Sequence, residues 1–272
     1  MKEFKQGQKV IPFSKEVNMI IRDESTHFIM ITQKDHAAVS GDMAAAWNRK
    51  YLASLKRVED MITSVYNHDK AWEEIDAAPF YNDAKNRPFS FIDFPARPKL
   101  IHYKHGIDLV ESENFYAGLL NSLHYCSLVD SKNSSGKSFL ENEKLRQKRI
   151  KDKLGMTGIE HTADIEDHFQ LLQLCDSLSL FICMNSPGTE KVYYNNRDGF
   201  KNSHKFPFTN GQDITAAWKT NKDLQINPFP FDKSFSTVVR FKKVDKKSVE
   251  KNGLMYAWQE AVPEDHVIKI QN

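Results

Sequence analysis

Long apolar runs are missing from the sequence. No stretch approaches the roughly 18 consecutive apolar residues that a membrane-spanning helix needs, so we expect no membrane-spanning segment. A large excess of one charge is missing too, because 38 Lys and Arg residues against 36 Asp and Glu residues leave a net charge of only +2. This balance argues against a general polyanion-binding protein, so any charged partner must be met by a local patch.

Cysteine is scarce as well. Cys126, Cys175 and Cys183 are odd in number, lie in apolar stretches and show no Cys-x-x-Cys spacing. These features indicate buried free thiols in a reducing compartment and argue against a structural zinc site built on cysteine. Residues 1–13 contain basic side chains but no apolar segment leading to a cleavage site. The sequence therefore predicts no secretory signal and a cytoplasmic location.

The order of patterns along the chain predicts helices in the middle and strands near both ends. Two apolar, β-branched runs flank a polar turn in residues 17–32, which is typical of a β-hairpin. Residues 76–98 contain four prolines and predict an irregular loop. Strands are predicted again near the C-terminus, with Asn252-Gly253 as a hairpin turn. Helix-forming patterns occupy four segments, residues 35–48, 55–66, 114–129 and 162–183.

These patterns predict a single mainly α-helical domain over residues 1–272. Its helical core covers about residues 32–185, and a small antiparallel β-sheet is formed by N- and C-terminal strands at about residues 17–32 and 236–270. Residues 187–232 are expected to be rich in loops. One domain is favoured over two because neither terminal hairpin would be stable alone.

Two polar side chains stand inside helices that are apolar on nearly every side. Asp176 lies in FQLLQLCDSLSLFIC and His124 lies in GLLNSLHYCSLV, where leucines surround each of them. A carboxylate buried by itself is too costly, so Asp176 must be paired, protonated or bound to a metal. Because both segments are apolar, we expect the side chains of both residues to be buried.

Three more potential ligands lie at the ends of predicted helices. His68 and Asp69 form an adjacent pair, and His36 opens the first helix beside small residues. Four helices would thus point ligands inward, and a divalent metal would satisfy all of them at once. Taken singly, a helical histidine is more often a hydrogen-bonded core residue, and Asp176 could instead pair with an Arg or Lys.

The order of these residues resembles the HD-domain superfamily of metal-dependent phosphohydrolases, over about residues 32–185. Members carry a His, an adjacent His-Asp pair and a later Asp on a helical core. The resemblance implies an HD-like helical core and gives His124 the place of an additional ligand or phosphate-contacting histidine. It implies metal-ligand roles for His36, His68, Asp69 and Asp176.

Several segments also resemble an uncharacterised family of bacterial proteins found in Bacillus-like organisms, over nearly the whole chain. They are ITQKDHAAVSGDMAAAW, HDKAWEEIDAAP, LLNSLHYCSL and CDSLSLF. This resemblance brings no activity with it. Many HD enzymes continue the His-Asp pair with a Gly and a Lys a few residues on, whereas Lys70-Ala71-Trp72 follows here, so the superfamily's substrate contacts do not transfer.

The implied donor set suits metal-assisted hydrolysis. Imidazoles and carboxylates together favour manganese, iron, cobalt or zinc, as one or two ions, over the all-oxygen cages of calcium. Such an ion lowers the pKa of bound water towards about 7, so a metal-bound hydroxide is the expected nucleophile. We assign catalytic roles to Asp69, His124 and Lys70. Substrate-binding roles go to Lys34, Arg87 and Trp72, although most lysines in such positions are simply solvated.

The sequence therefore predicts a phosphomonoesterase or phosphodiesterase acting on a nucleotide or another small phosphorylated molecule. The alternative is a non-catalytic HD-fold protein that binds or senses a phosphorylated small molecule. A third possibility is an unrelated helical protein whose His and Asp residues only satisfy one another in the core. No membrane partner and no specific nucleic-acid binding are expected.

Two further charged segments have ordinary explanations. Asp164 and His168, four residues apart with His161 nearby, could bind a metal, but a solvated acidic first turn of a helix explains them better. Residues 131–153 contain eight Lys or Arg residues and three acids. A solvated helix explains this segment without a nucleic-acid ligand.

Overall fold

A β-hairpin forms the first part of the chain that the structure describes. The structure, a computed structural model, describes residues 19–189 and 199–272. Strand β1 (Ile20–Asp23) pairs antiparallel with β2 (His27–Ile31), with Ile20 opposite Ile31. This is the hairpin predicted for residues 17–32, of which residues 17 and 18 lie outside the described residues.

Helix α1 (Gln33–Ala46) begins after a capping threonine. The hydroxyl oxygen of Thr32 accepts a hydrogen bond of 3.0 Å from the backbone N–H of Asp35, which satisfies one of the first-turn donors. Helix α2 (Val58–Tyr66) buries the apolar face that its spacing predicts, and the short helix α3 (Glu73–Ala77) follows a turn. Both predicted helices are therefore present, with slightly different ends.

The segment after α3 contains elements that the sequence analysis missed. Strands β3 (Tyr81–Asn82) and β4 (Arg87–Pro88) pair within the predicted irregular loop. Helix α4 (Ala96–Glu113) follows and has Pro98 in its first turn. Because first-turn N–H groups have no partner within the helix, a proline there removes no helical hydrogen bond. The prolines that suggested a loop are thus compatible with the start of a helix.

Three more helices complete the helical layer. Helices α5 (Phe115–Leu128) and α7 (Ile159–Met184) contain the two apolar segments, and α6 (Ser134–Leu154) covers the basic segment between them. Helix α6 ends at Gly155, whose φ of 67° is left-handed and favours glycine. Helix α7 begins at Ile159, whereas the sequence predicts that it begins at Thr162.

The C-terminal part alternates strands with two short helices. Its elements are β5 (Thr215–Trp218), β6 (Asp223–Asn227), β7 (Phe235–Asp245), α8 (Lys246–Asn252), α9 (Leu254–Glu260) and β8 (Pro263–Gln271). The hairpin turn predicted at Asn252-Gly253 is wrong, because a helix lies on each side of Gly253. Leu254, Ala257 and Trp258 are the buried residues of α9, at the spacing of a helix face rather than of a strand.

The prediction of a small antiparallel sheet made only from terminal strands is wrong. The structure has a six-stranded mixed sheet, curled into a half-barrel, in the order β1-β2-β7-β8-β6-β5. Strand β6 runs parallel to β8, and the other neighbouring strands are antiparallel. Strands β5 and β6 come from the segment expected to be loops. Strand β6 does alternate, with Leu224 and Ile226 buried, and this signal was missed.

Helix α1 links the helical layer to the sheet. It packs against α2 and α7 and also against β7, and Val39, Met43 and Ala44 on α1 are buried in the largest core cluster. Side chains that α1 turns towards α7 are therefore deep in the molecule. The three cysteines form no disulfide. Within the described residues, no helix is both long and apolar enough to cross a membrane.

Candidate metal centre

Five side chains with metal-binding donor atoms lie together in the helical layer. His36 comes from α1, His68 and Asp69 from the turn after α2, His124 from α5 and Asp176 from the middle of α7. We name these five residues the ligand cluster. All five were predicted as ligands from the sequence, and they come from four separate parts of the chain. Tertiary packing, rather than any local motif, brings them together.

The two carboxylates lie between the imidazoles. His36 Nε2 is 3.0 Å from Asp176 Oδ1 and 3.6 Å from Asp69 Oδ2. His68 Nε2 is 3.4 Å from Asp69 Oδ2 and 3.5 Å from Asp176 Oδ1. The ring of His124 meets that of His68 edge to face, with 5.1 Å between their centroids. The donor atoms are thus confined to one small volume.

Two overlapping groups within the cluster could hold a metal ion. In the groups His36-His68-Asp69 and His68-His124-Asp176, one donor atom from each residue lies within 4.8 Å of the others. His68 belongs to both groups, yet its Nδ1 donates a hydrogen bond of 2.7 Å to the carbonyl oxygen of Val65, which leaves only Nε2. Because one imidazole nitrogen has one lone pair, His68 can bind only one ion.

Burial within the cluster is uneven. The side chains of His36 and His68 are fully buried, whereas that of Asp69 is 6% and that of Asp176 is 17% exposed. His68 Nε2 and His124 Nδ1 are buried and have no hydrogen-bond partner among the described residues. Each such atom costs about 1–3 kcal/mol. A bound cation would offset this cost at both nitrogens, although buried side-chain atoms without partners also occur elsewhere among the described residues.

Burial and neighbouring charges shift the pKa values of the cluster in different directions. Burial lowers the pKa of His124 to about 3, so its imidazole is neutral, which is the form that binds metals. Burial also lowers the pKa of His68, but the carboxylates of Asp69 and Asp176 outweigh it and raise that pKa to about 9. Burial raises the pKa of Asp69. The hydrogen bond from His36 and the nearby imidazole of His68 overcome burial and hold the pKa of Asp176 well below its usual value.

Supporting residues around the cluster were missed by the sequence analysis. Ser179 Oγ lies 2.6 Å from His36 Nδ1. The hydroxyl of Tyr125 accepts a 3.2 Å hydrogen bond from the backbone N–H of Ala71, two residues after Asp69. Gly106 on α4 lies against the same backbone, since a Cβ there would come within 2.5 Å of the Ala71 nitrogen. A glycine inside a helix often marks such a close approach, and HYKHGIDLV contained that signal.

The three cationic side chains predicted for the site, catalytic Lys70 and substrate-binding Lys34 and Arg87, belong to two separate groups of ion pairs. Lys70 Nζ is 2.8 Å and Lys34 Nζ is 3.7 Å from carboxylate oxygens of Glu73, so the two lysines share one counter-ion. Arg87, on β4, instead forms an ion pair with Asp93 at 2.8 Å. The structure therefore brings Lys34 and Lys70 together but places Arg87 in a separate ion pair.

Trp72, the fourth predicted substrate contact, is fully buried. Its ring packs edge to face against Tyr103 with 5.6 Å between centroids. Burial raises the pKa of Asp69 and nearby Trp72 slightly offsets this, although the indole N–H makes no hydrogen bond among the described residues. Trp72 thus lies behind the ligand cluster rather than on an accessible surface.

The rival histidines on α7 do not form a second centre. His168 is buried, and its Nδ1 is hydrogen-bonded to the hydroxyl of Tyr116 at 2.8 Å. In the part of the chain that the structure describes, Asp164 and His168 belong to no group with metal-binding proximity. His168 is therefore a core histidine with a side-chain partner on Nδ1, while its buried Nε2 makes no hydrogen bond among the described residues.

A second buried polar cluster joins α4 to α6. Arg146 is only 10% exposed, and it forms ion pairs with Asp108, Glu111 and Glu143, the last at 2.9 Å. Arg149 also pairs with Glu111, at 2.7 Å. We name these five residues the Arg146 network. The basic segment is therefore not uniformly solvated, because one of its arginines lies inside the helical layer.

One family model matches the chain. The model, described as "Protein of unknown function (DUF3891)", matches residues 19–246 and so includes the whole ligand cluster. The chain belongs to this DUF3891 family. No curated protein and no solved structure matches the chain. The DUF3891 match ends within α8, before α9 and β8.

Proposed function

We propose that this DUF3891 protein is a metal-dependent phosphohydrolase that uses one divalent transition-metal ion. The proposed substrate is a nucleotide or another small phosphorylated molecule. The observation that carries the proposal is the convergence of three imidazoles and two carboxylates, supplied by four separate parts of the chain, on one buried volume. The order of these residues also resembles that of the HD-domain superfamily.

The geometry of the donors fits a transition-metal ion. Neighbouring donors on an octahedral ion with bonds of about 2.1 Å are about 3 Å apart. The separations of 3.0 to 3.6 Å among His36, His68, Asp69 and Asp176 are close to that value. A cation would also satisfy the buried nitrogens of His68 and His124 that lack partners among the described residues. Mixed nitrogen and oxygen donors favour manganese, iron, cobalt or zinc.

Differences in burial among the ligands indicate the side from which substrate would reach the proposed site. The three histidines close one side, while the partly exposed carboxylate of Asp176 marks the side that water and substrate would reach. Lys34 and Lys70 lie around Glu73 and could exchange this shared counter-ion for a substrate phosphate, because exposed ion pairs are weak. When bound, a divalent ion supplies Lewis-acid polarisation of the phosphoryl group and acidifies a water molecule.

Metal analysis joined to a hydrolysis assay tests this proposal. Protein purified without a histidine tag should contain about one transition-metal ion per chain, as expected for a single His68 Nε2 donor. It should hydrolyse bis(p-nitrophenyl) phosphate or a member of a nucleotide panel with added manganese, cobalt or nickel. His68→Ala and Asp69→Ala should remove both the metal and the turnover.

Asp164→Asn is the matched control, because it changes a carboxyl on α7 that lies outside the ligand cluster. It should keep the metal content and the turnover of the unmodified protein. Absence of bound metal, or turnover that survives His68→Ala, would overturn the proposal. Metal binding with no hydrolysis of any phosphate ester would favour the non-catalytic binding protein instead.

A further inference from the structure

We propose that Ser179, supported by Ser40, is a positioning residue that fixes which nitrogen of His36 faces the metal. This inference rests on the metal site proposed above. It concerns side chains that do not themselves bind the ion. Both serines are fully buried, one on α7 and one on α1.

The two hydroxyls form a short chain that ends at His36. Ser179 Oγ is 2.6 Å from His36 Nδ1 and 2.7 Å from Ser40 Oγ. Ser179 Oγ is also 3.1 Å from the carbonyl oxygen of Asp176, and Ser40 Oγ is 3.4 Å from that of Cys175. The chain of contacts therefore starts at an imidazole and ends at backbone carbonyls of α7.

The protons on this chain can be placed so that His36 Nε2 offers its lone pair to a cation. A neutral imidazole carries one N–H, so that proton must be on Nδ1. Nδ1 and the Ser40 hydroxyl then both donate to Ser179 Oγ, and Ser179 donates to the carbonyl of Asp176. Every donor has an acceptor, and the ring is held in one orientation.

His68 is held in the same tautomer by a different kind of hydrogen bond. Its Nδ1 donates directly to the carbonyl oxygen of Val65, which can only accept. A backbone carbonyl imposes one tautomer regardless of side-chain substitution, whereas a hydroxyl can either donate or accept. His36 is thus the ligand whose tautomer depends on a replaceable side chain, which makes the inference testable.

The serine pair also fixes two helices relative to each other. Ser40 lies one helical turn after His36 on α1, and Ser179 lies about one turn after Asp176 on α7. Their mutual hydrogen bond joins the two helices next to two of the ligands. Ser177, also on α7, instead donates to the carbonyl of Gln173 within its own helix.

The test compares Zn²⁺ binding by the unmodified chain with that of Ser179→Ala, using competition against a chromophoric chelator. The variant should bind Zn²⁺ about 10- to 100-fold more weakly, the usual effect of losing the hydrogen-bond partner of a ligating histidine. Long-range ¹H–¹⁵N spectra should show His36 protonated on Nδ1 in the Zn²⁺-loaded unmodified chain and a mixture of tautomers in the variant. Ser179→Thr, which keeps a hydroxyl, should recover part of the affinity.

Ser177→Ala is the matched control and should bind Zn²⁺ like the unmodified chain. Circular dichroism and thermal unfolding check that each variant folds. Ser40→Ala, which removes only the second hydroxyl, should weaken Zn²⁺ binding less than Ser179→Ala and provides the test if that variant does not fold. Unchanged affinity in the folded serine variants, with Zn²⁺ bound by the unmodified chain, would overturn this inference alone. No Zn²⁺ binding by the unmodified chain would overturn the proposed metal site as well.

Discussion

The ligand cluster and the Arg146 network are two buried polar groups in the same helical layer, but they are satisfied in opposite ways. In the Arg146 network, the arginine meets three carboxylates, and none of its buried side-chain atoms lacks a hydrogen-bond partner within the described residues. In the ligand cluster, His68 and His124 each keep a buried nitrogen without a partner from the described chain. Pairing is therefore complete in the Arg146 network, where Asp108 and Arg149 are partly exposed, and incomplete in the more deeply buried ligand cluster.

This difference separates a structural role from a binding role. Paired charges inside a protein hold elements together, and removing one partner leaves the others buried and uncompensated. Polar atoms that remain unsatisfied are a free-energy cost that folding alone does not reward. We infer that the Arg146 network stabilises the fold, whereas the ligand cluster is kept for a ligand. Substitutions in the two clusters should therefore produce opposite patterns.

The largest expected effect on folding comes from Arg146→Ala. This change leaves Glu143 and Glu111 buried with fewer partners, so we expect the free energy of unfolding to fall by about 3–5 kcal/mol in urea titrations. Lys148→Ala is the control on the same helix, because its exposed pair with Asp152 should contribute only about 0–1 kcal/mol. Equal losses from the two variants would contradict a structural role for the Arg146 network.

Asp69→Asn should show the reverse pattern. We expect Zn²⁺ affinity to fall by more than about 100-fold, since a ligand should matter at least as much as its hydrogen-bond partners. Without metal, the free energy of unfolding should change by less than about 1 kcal/mol, because the substitution also removes a buried carboxylate. Calorimetric Zn²⁺ titration and urea unfolding measure the two quantities. A large loss of stability with unchanged Zn²⁺ affinity would mean that Asp69 has a structural role and is not a metal ligand.

Gly106→Ala should disturb the ligand cluster indirectly, through the backbone that follows Asp69. The added Cβ would come within 2.5 Å of the Ala71 nitrogen, so the backbone that follows Asp69 must move. We expect a loss of about 1–3 kcal/mol in the free energy of unfolding, partly offset by the better helix propensity of alanine. Zn²⁺ affinity should fall with it. His105→Ala, at the exposed neighbouring position, should leave both unchanged, and a silent Gly106→Ala would refute the close contact.

The smallest effect should be a pH dependence at Asp93. Burial raises the pKa of this carboxyl, but Lys85, the backbone N–H of Ser90 and Arg87 outweigh it and lower the pKa below 3.8. Ionised Asp93 therefore adds stability above its unfolded pKa, and this contribution is lost as the pH falls through the lower folded value. Asp93→Asn should cost about 1 kcal/mol at neutral pH.

Thermal unfolding at pH 7, 5, 4 and 3 follows this contribution. The difference between the unmodified chain and Asp93→Asn should shrink only below about pH 4. The exposed substitution Asp83→Asn is the control and should give only a small difference in stability at pH 7. If the difference in thermal stability between the unmodified chain and Asp93→Asn grows as the pH falls, the assigned direction of the pKa shift is wrong.

Part of the ligand cluster gives a local signal in the sequence. Asp176 and His124 interrupt helices that are otherwise apolar, and a buried polar residue requires a partner wherever the helix packs. His68 and Asp69 stand where an amphipathic pattern ends. These features indicate inward-facing donors, whereas the full set of ligands follows from the resemblance to the HD-domain superfamily. Ser179 was missed because a serine in a leucine-rich helix gives no such signal, and its partner His36 is far away in sequence.

The sheet was only partly predictable because its pairing is long-range. The N-terminal hairpin follows from adjacent runs and a polar turn, which a short window detects. The parallel pairing of β6 with β8 joins segments about forty residues apart, and no local pattern encodes it. In α9, the alternating apolar residues fitted a strand as well as one face of a short helix. The packing of Trp258 and Ala257 decides between these two readings.

Strand β8 has a consequence for the order of folding. It comes last among the described elements, yet it is the strand that connects β7 to β6 within the described sheet. During synthesis, β5 and β6 can form a hairpin but have no neighbour to join until residues up to Gln271 have left the ribosome. Until then, the hairpin and β7 expose open backbone edges that other chains could pair with. The half-barrel can therefore be completed only after β8 has emerged, whereas the helical layer can assemble earlier.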